Sequence, residues 1–184
     1  MEVKGTALKT TSDFVKSKFP KQYEEWFLTL PEKTKLLYKN INVASWYPMN
    51  ENYLVPIDRI VEMFYPNNNK MGAEEIGRFS AEIALKGIYK VFLMVASPNY
   101  MLKRASQVFS TYYMPGEIKI SENLERKAVL QISKFNEISL NLEYRIAGWC
   151  MRALELTNCS KAAYTIPKSI ARGDNVTELA FTWS

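Results

Sequence analysis

The chain has 184 residues, 47% hydrophobic and 23% charged, enough to bury one core and typical of a globular rather than a disordered chain. Its 24 Lys and Arg outnumber 19 Asp and Glu for a net charge of +5, yet the cations are scattered. Segments such as "LKRASQ" and "LERKAV" hold only two adjacent basic residues, so no nucleic-acid face is expected. There is no histidine, which excludes a serine–histidine hydrolase, an ordinary zinc enzyme and a histidine-ligated haem sensor.

In chain order, "TSDFVKSKFP" reads as a helix capped by Ser12 and stopped by Pro20. Tyr23, Trp26, Phe27 and Leu30 then share one helical face, and Pro31 opens a further short helix through "EKTKLLYKN". "VASWYP" is an extended link. In "VPIDRIVEMFYP", Pro56 and Pro66 bracket a helix whose stripe is Ile57, Ile60, Val61 and Phe64. "NNNKMG" reads as a loop, followed by the longest helix, Ala73 to about Val95, with Ile76, Phe79, Ile83, Gly87, Val91 and Val95 near one stripe. Gly77 and Gly87 inside it are each unfavourable by about 1 kcal/mol relative to Ala, which points to close packing against another backbone or a ligand, with helix packing the favoured of the two.

Ser97 and Pro98 restart a helix that runs to Pro115-Gly116. The period then changes from helical to alternating. Ile118 and Ile120 in one run, and Ala128, Leu130 and Ile132 in the next, predict a β-hairpin around "ENLE". Asn136 or Ser139 caps a helix with Leu142, Ile146, Trp149, Ala153 and Leu156 on one face. A second hairpin follows, with Tyr164 and Ile166 on one side of its first strand and Leu179, Phe181 and Trp183 on one side of its second. "RGDN" between them supplies Gly173-Asp174 for the reversal. The expected fold class is α+β: N-terminal helices, then long helices packed on a four-stranded antiparallel sheet made of two hairpins separated by a helix. An N-terminal helical part, residues 1–70, and an α+β part, residues 71–184, are expected to form one continuous domain.

The segment "LEYRIAGWCMRALELTNCSKAAYTIPKSIARGDNVTELAFTW" resembles the C-terminal half of the 4-vinyl-reductase-like domain, which has a helix with a Gly-aromatic pair, a strand, and a Gly-Asp turn into a final strand. The stretch "IGRFSAEIALKGIYKVFLMVASPNYMLKRASQVFSTYYMPGEIKI" is similar to the middle of that group, and closer still to a bacterial paralogous family of unknown function. All are similar to a wider fold shared by haem nitric-oxide-binding domains and Golgi transport-particle subunits. The resemblance implies helices and a four-stranded sheet enclosing an apolar ligand. The 4-vinyl-reductase-like signature places Cys shortly after the Gly-Asp turn, where this chain has Val176, Thr177 and Glu178. The haem-binding relatives use a His ligand that this chain lacks.

No apolar run approaches the roughly 18 residues that cross a bilayer, and "MEVKGTALKTTSDF" lacks a signal-peptide pattern, so a cytoplasmic chain without a membrane span is expected. Cys150 and Cys159 then read as free thiols, about 13 Å apart if on one helix. The leading functional expectation is a non-enzymatic sensory domain for a small apolar molecule in bacterial signalling, bound by Tyr89, Phe92, Met94 and Trp149, with no cofactor, metal or catalytic residue. The alternative is a module that forms a homodimer around a filled core without a ligand. Glu143, Arg145 and Asp174 read as surface or turn groups, and Cys150 as a buried inert thiol.

Overall fold

Helical period gives way to strand period along the chain in the order expected from its apolar pattern. The computed structural model describes residues 1–86, 97–103, 105–157 and 159–184. β1 (Glu2–Lys4) runs directly into α1 (Gly5–Lys18), and α2 (Tyr23–Leu28) and α3 (Glu32–Lys39) follow a tight turn at Pro20–Gln22. β2 (Trp46–Pro48) and a wide helical turn over Asn50–Leu54 lead to α4 (Val55–Phe64) and α5 (Asn69–Lys86). Then come α6 (Pro98–Lys103), α7 (Ala105–Ser110), β3 (Tyr113–Met114), β4 (Glu117–Leu124) and β5 (Lys127–Ser133). α8 (Leu140–Glu155), β6 (Ala163–Lys168) and β7 (Thr177–Thr182) complete the chain.

The two expected hairpins join into a four-stranded antiparallel sheet of order β4-β5-β7-β6. Its central contact pairs Ala128 with Phe181 and Leu130 with Leu179, so both strands direct their alternating apolar residues to the same buried face. Ser139 caps α8, its side chain accepting the Leu142 N–H, and Ser97 accepts the Tyr100 N–H at the start of α6.

A second, three-stranded sheet of order β2-β1-β3 was not legible in the sequence. Its strands have two or three residues each, too few to show a period, and "VASWYP" and "TYYM" pair only because Val3 lies between Tyr47 and Tyr113. The last of these segments corrects the expected helix to Pro115, which ends at Ser110. Ser12 is no cap either: α1 begins at Gly5, and Ser12 is buried with its hydroxyl 3.2 Å from the Tyr23 hydroxyl. Position 5 must be small, since a Cβ there would stand 2.1 Å from the Asn42 carbonyl oxygen. Thr10 and Thr11 donate to the Thr6 and Ala7 carbonyls one turn back, which satisfies hydroxyls on a buried face of the same helix. The "NNNKMG" loop is shorter than expected, because Asn68 accepts the Met71 N–H and α5 already starts at Asn69.

The face of α5 that packs inward is not its large apolar stripe. Gly72, Ala73, Ile76, Gly77, Ser80, Ala81, Ala84 and Leu85 are buried, a ridge of mostly small residues at four-residue steps, while Ile83 is 46% exposed. The ridge lies against α8 at backbone contact. A Cβ on Gly77 would come within 2.0 Å of the Arg145 carbonyl oxygen, and one on Gly148 within 2.4 Å of the Glu74 carbonyl oxygen. The packing role expected of Gly77 is therefore its role; Gly87, Val91 and Val95 lie outside the described residues. Arg78 with Glu155 at 2.6 Å and Arg152 with Glu82 at 2.9 Å bridge the rims of the crossing. Replacing Gly148 by Ala is expected to lower the unfolding free energy by about 1–3 kcal/mol, since backbone must move to admit the methyl. Ala is the better helix former by about 1 kcal/mol, so a loss of stability in urea titration measures the crossing and not propensity.

Candidate functional site

α8 has almost no solvent face, and this corrects the reading of two of its charges as surface groups. Glu143 is fully buried and Arg145 is 3% exposed. Two helical steps turn the side chain by about 200°, so the two charges point to opposite sides of α8 and cannot pair with each other. Glu143 faces the β6–β7 connection. Its carboxylate accepts from Ser169 Oγ at 2.6 Å, from Thr177 Oγ1 and from the Ala171 N–H at 3.3 Å. Thr177 is one of the residues that follow the Gly-Asp turn, and its hydroxyl is committed to this structural carboxylate. Gly173 adopts φ +99°, and Asp174 accepts the Ser169 N–H at 2.7 Å while its own N–H bonds the Ser169 carbonyl at 3.0 Å. The Gly-Asp pair is thus the hinge of the second hairpin, with glycine supplying the left-handed backbone.

Arg145 faces the other way, between α1 and α5. It donates to Thr11 Oγ1 at 2.8 Å and to Ser80 Oγ at 3.0 Å, and its guanidinium lies 4.5 Å over the Tyr53 ring. Both hydroxyl hydrogens are already used, Thr11 on the Ala7 carbonyl and Ser80 on the Ile76 carbonyl, so only lone pairs are left to meet the cation. Tyr53 in turn shares a hydrogen bond of 3.0 Å with Tyr113.

These groups border a cavity of about 50 Å³. It is lined by Ala7 and Thr10 of α1, Tyr53, Ser80, Phe109, Tyr112, Tyr113 and Ile118, and α8 contributes Arg145, Ile146, Trp149 and Cys150. Of the four expected binding residues, Trp149 lines this cavity, and its buried indole N–H has no hydrogen-bond partner among the described residues. Tyr89, Phe92 and Met94 lie outside the described residues. Sequence reasoning missed Tyr53, Ser80, Tyr113 and Arg145. For Arg145 a signal existed: it is three residues after Leu142 and four before Trp149, on the apolar stripe of its helix, where a charge must find a buried partner. Among the described residues no three His, Cys, Asp or Glu side chains converge to hold a metal ion.

The field of Arg145 is not offset by the phenols around it. Burial raises the Tyr53 and Tyr113 hydroxyls above their ordinary value, against the opposing pull of Arg145, and Tyr113 lies well above it. Burial also raises Tyr38 and pushes the Cys150 thiol up to about 12. Each of these groups stays protonated in the folded chain at a pH where the unfolded chain has begun to lose the proton. The Cys150 contribution to stability is therefore intact below about pH 9 and is lost as pH rises towards about 12, by up to about 1.4 kcal/mol per pH unit, and the buried phenols add to the fall above their ordinary value of 10.0. Urea titrations between neutral and alkaline pH are expected to show a flat plateau followed by a steep fall. The same burial makes Cys150 a poor nucleophile: at pH 8 a thiol reagent is expected to label Cys159, which is only partly buried, well before Cys150, which reacts on unfolding.

No family model and no curated protein matches this chain. Solved structures do. The H-NOX protein from S. oneidensis in the Fe(II)NO ligation state superposes with a TM-score of 0.75 at 12% identity, over 98% of this chain and 99% of that one. The Fe(II) unliganded H-NOX protein from K. algicida gives 0.73 at 11%, over 98% and 96%. The NMR structure of an H-NOX domain from Shewanella oneidensis in the Fe(II)CO ligation state gives 0.71 at 12%, over 98% of each chain. Such low identity with near-complete coverage establishes architecture: the described residues of this chain have the α+β fold of H-NOX proteins.

Proposed function

We propose that the chain is a non-enzymatic sensory domain that holds a small molecule in the cavity beside Arg145 and Trp149, and that it does so without a haem. The fold supports the first half of this reading, since solved H-NOX structures of the same architecture carry a gas-ligated iron. The residues argue against the haem. The chain has no histidine, and burial keeps the Tyr53 and Tyr113 phenols and the Cys150 thiol at the cavity protonated. A cavity of about 50 Å³ is also far below the several hundred cubic ångströms of an ordinary cofactor site.

The observation that carries the proposal is where the cavity lies. Its walls come from α1, the turn before α4, α5, α7, β3, β4 and α8, so occupancy bears on the packing of both sheets and of the α5–α8 crossing together. That is the coupling a sensor needs, because a ligand shifts a conformational balance only through contacts that differ between states. At roughly 10–15 Å³ for each water-sized occupant, the space suits a molecule of about four non-hydrogen atoms. A second reading, pairing of two copies, is favoured by Met71 and Ile83, large apolar side chains half exposed on the outer side of α5.

Denaturing extraction and xenon NMR of the purified chain, with a native mass spectrum alongside, test both readings. The sensor reading expects either a recurrent small molecule at one per chain, released on unfolding, or saturable xenon binding that Ala7→Val removes by filling the space. No extracted molecule and no xenon binding would sink it, and a discrete dimer mass in that case would transfer the weight to the pairing module.

A further inference from the structure

The cavity wall carries a positive charge for which the fold supplies no counter-charge among the described residues. The partners of Arg145 are two neutral hydroxyls and the face of one phenol ring, and the buried carboxylate nearest in sequence, Glu143, points away from it to the β6–β7 turn. Arginine keeps its charge in proteins, and a buried cation facing only dipoles carries a desolvation cost that an anion within reach would offset. The two hydroxyls engage two of the five guanidinium N–H donors, and the Trp149 indole N–H, without a partner among the described residues, belongs to the same wall. Ala7, Phe109, Ile118 and Ile146 supply the apolar part of the lining, beside Thr10, Tyr112, Tyr113 and Cys150.

From this pairing of one uncompensated guanidinium with an apolar wall in a space of about 50 Å³, we infer that the ligand is a short-chain monocarboxylate, with acetate as the size that fits. The inference rests on the ligand-binding reading above and specifies its chemistry. The carboxylate accepts from Arg145 in the two-oxygen geometry that guanidinium favours, and the alkyl end lies against the Phe109, Ile118 and Ile146 side of the cavity. The limit on length comes from volume: each further carbon must displace packed side chains, so butyrate is excluded where acetate is admitted.

Calorimetric titration and thermal unfolding of the full chain at constant ionic strength test this, with sodium acetate, sodium butyrate and acetamide as probes and sodium gluconate as the balancing salt. Acetamide has the shape of acetate without its charge. Saturable binding of acetate, at least tenfold weaker binding of acetamide and butyrate, and loss of acetate binding in Arg145→Met are expected. Ala7→Val retains Arg145 and fills the space, so it is expected to lose acetate as well; it keeps the test open if Arg145→Met does not fold. Acetamide binding as tightly as acetate would overturn the carboxylate assignment while leaving a ligand-binding cavity in place. Acetate binding that survives Ala7→Val would overturn it too, by locating the anion elsewhere. If neither probe binds and xenon also fails, the sensor reading falls with it.

Discussion

Two helices, α5 and α8, meet at backbone distance, and the rest of the chain is arranged around that contact. Gly77 and Gly148 are each within a Cβ radius of the opposite helix's carbonyl oxygens, so neither position tolerates a side chain without movement. Close approach of this kind replaces interdigitated large side chains by direct contact between backbones, and it accounts for a buried α5 face built from Gly, Ala and Ser. It also frees the large aromatic residues for the other interfaces. Phe14 meets Phe79 edge-on at 5.5 Å, and Phe19 stacks on Phe64 at 4.1 Å, which ties α1 to α5 and α4.

Because α8 is enclosed by α5 on one side and by the second hairpin on another, its charged residues have nowhere exposed to go. Glu143 and Arg145 resolve this in opposite ways. The carboxylate is met by two hydroxyls and a backbone N–H and serves as the pin that holds the β6–β7 reversal to the helix. The guanidinium is met by hydroxyl lone pairs and an aromatic face and borders open space. One charge is part of the scaffold; the other belongs to the cavity.

The solved H-NOX structures share this architecture, and in this chain Tyr53, Tyr113 and Phe109 pack beside Arg145 at the cavity. A shared fold does not carry function with it, because function resides in the site that the scaffold holds.

The elements with a long, regular apolar period were legible from the sequence alone: the β4–β5 and β6–β7 hairpins, the helix carrying Leu142 and Ile146 with its cap narrowed to Asn136 or Ser139, and the Gly173-Asp174 reversal. Local chemistry decides these, through alternation, capping and a left-handed glycine, and the missing histidine likewise needed no structure to bear on haem. What tertiary structure alone decided has no local signature. The three-stranded sheet joins segments about 45 and 110 residues from its central strand, with pairs too short to show a period. The inward face of α5 is small rather than hydrophobic, so hydropathy selected Ile83, which is exposed. The cavity is assembled from side chains on seven elements, and whether Arg145 faced solvent or a void depended on how closely two glycines let their helices approach. Periodicity reports which side of an element is apolar; it carries no information on how near the neighbouring backbone comes, and that distance sets both the burial of the charge and the space left beside it.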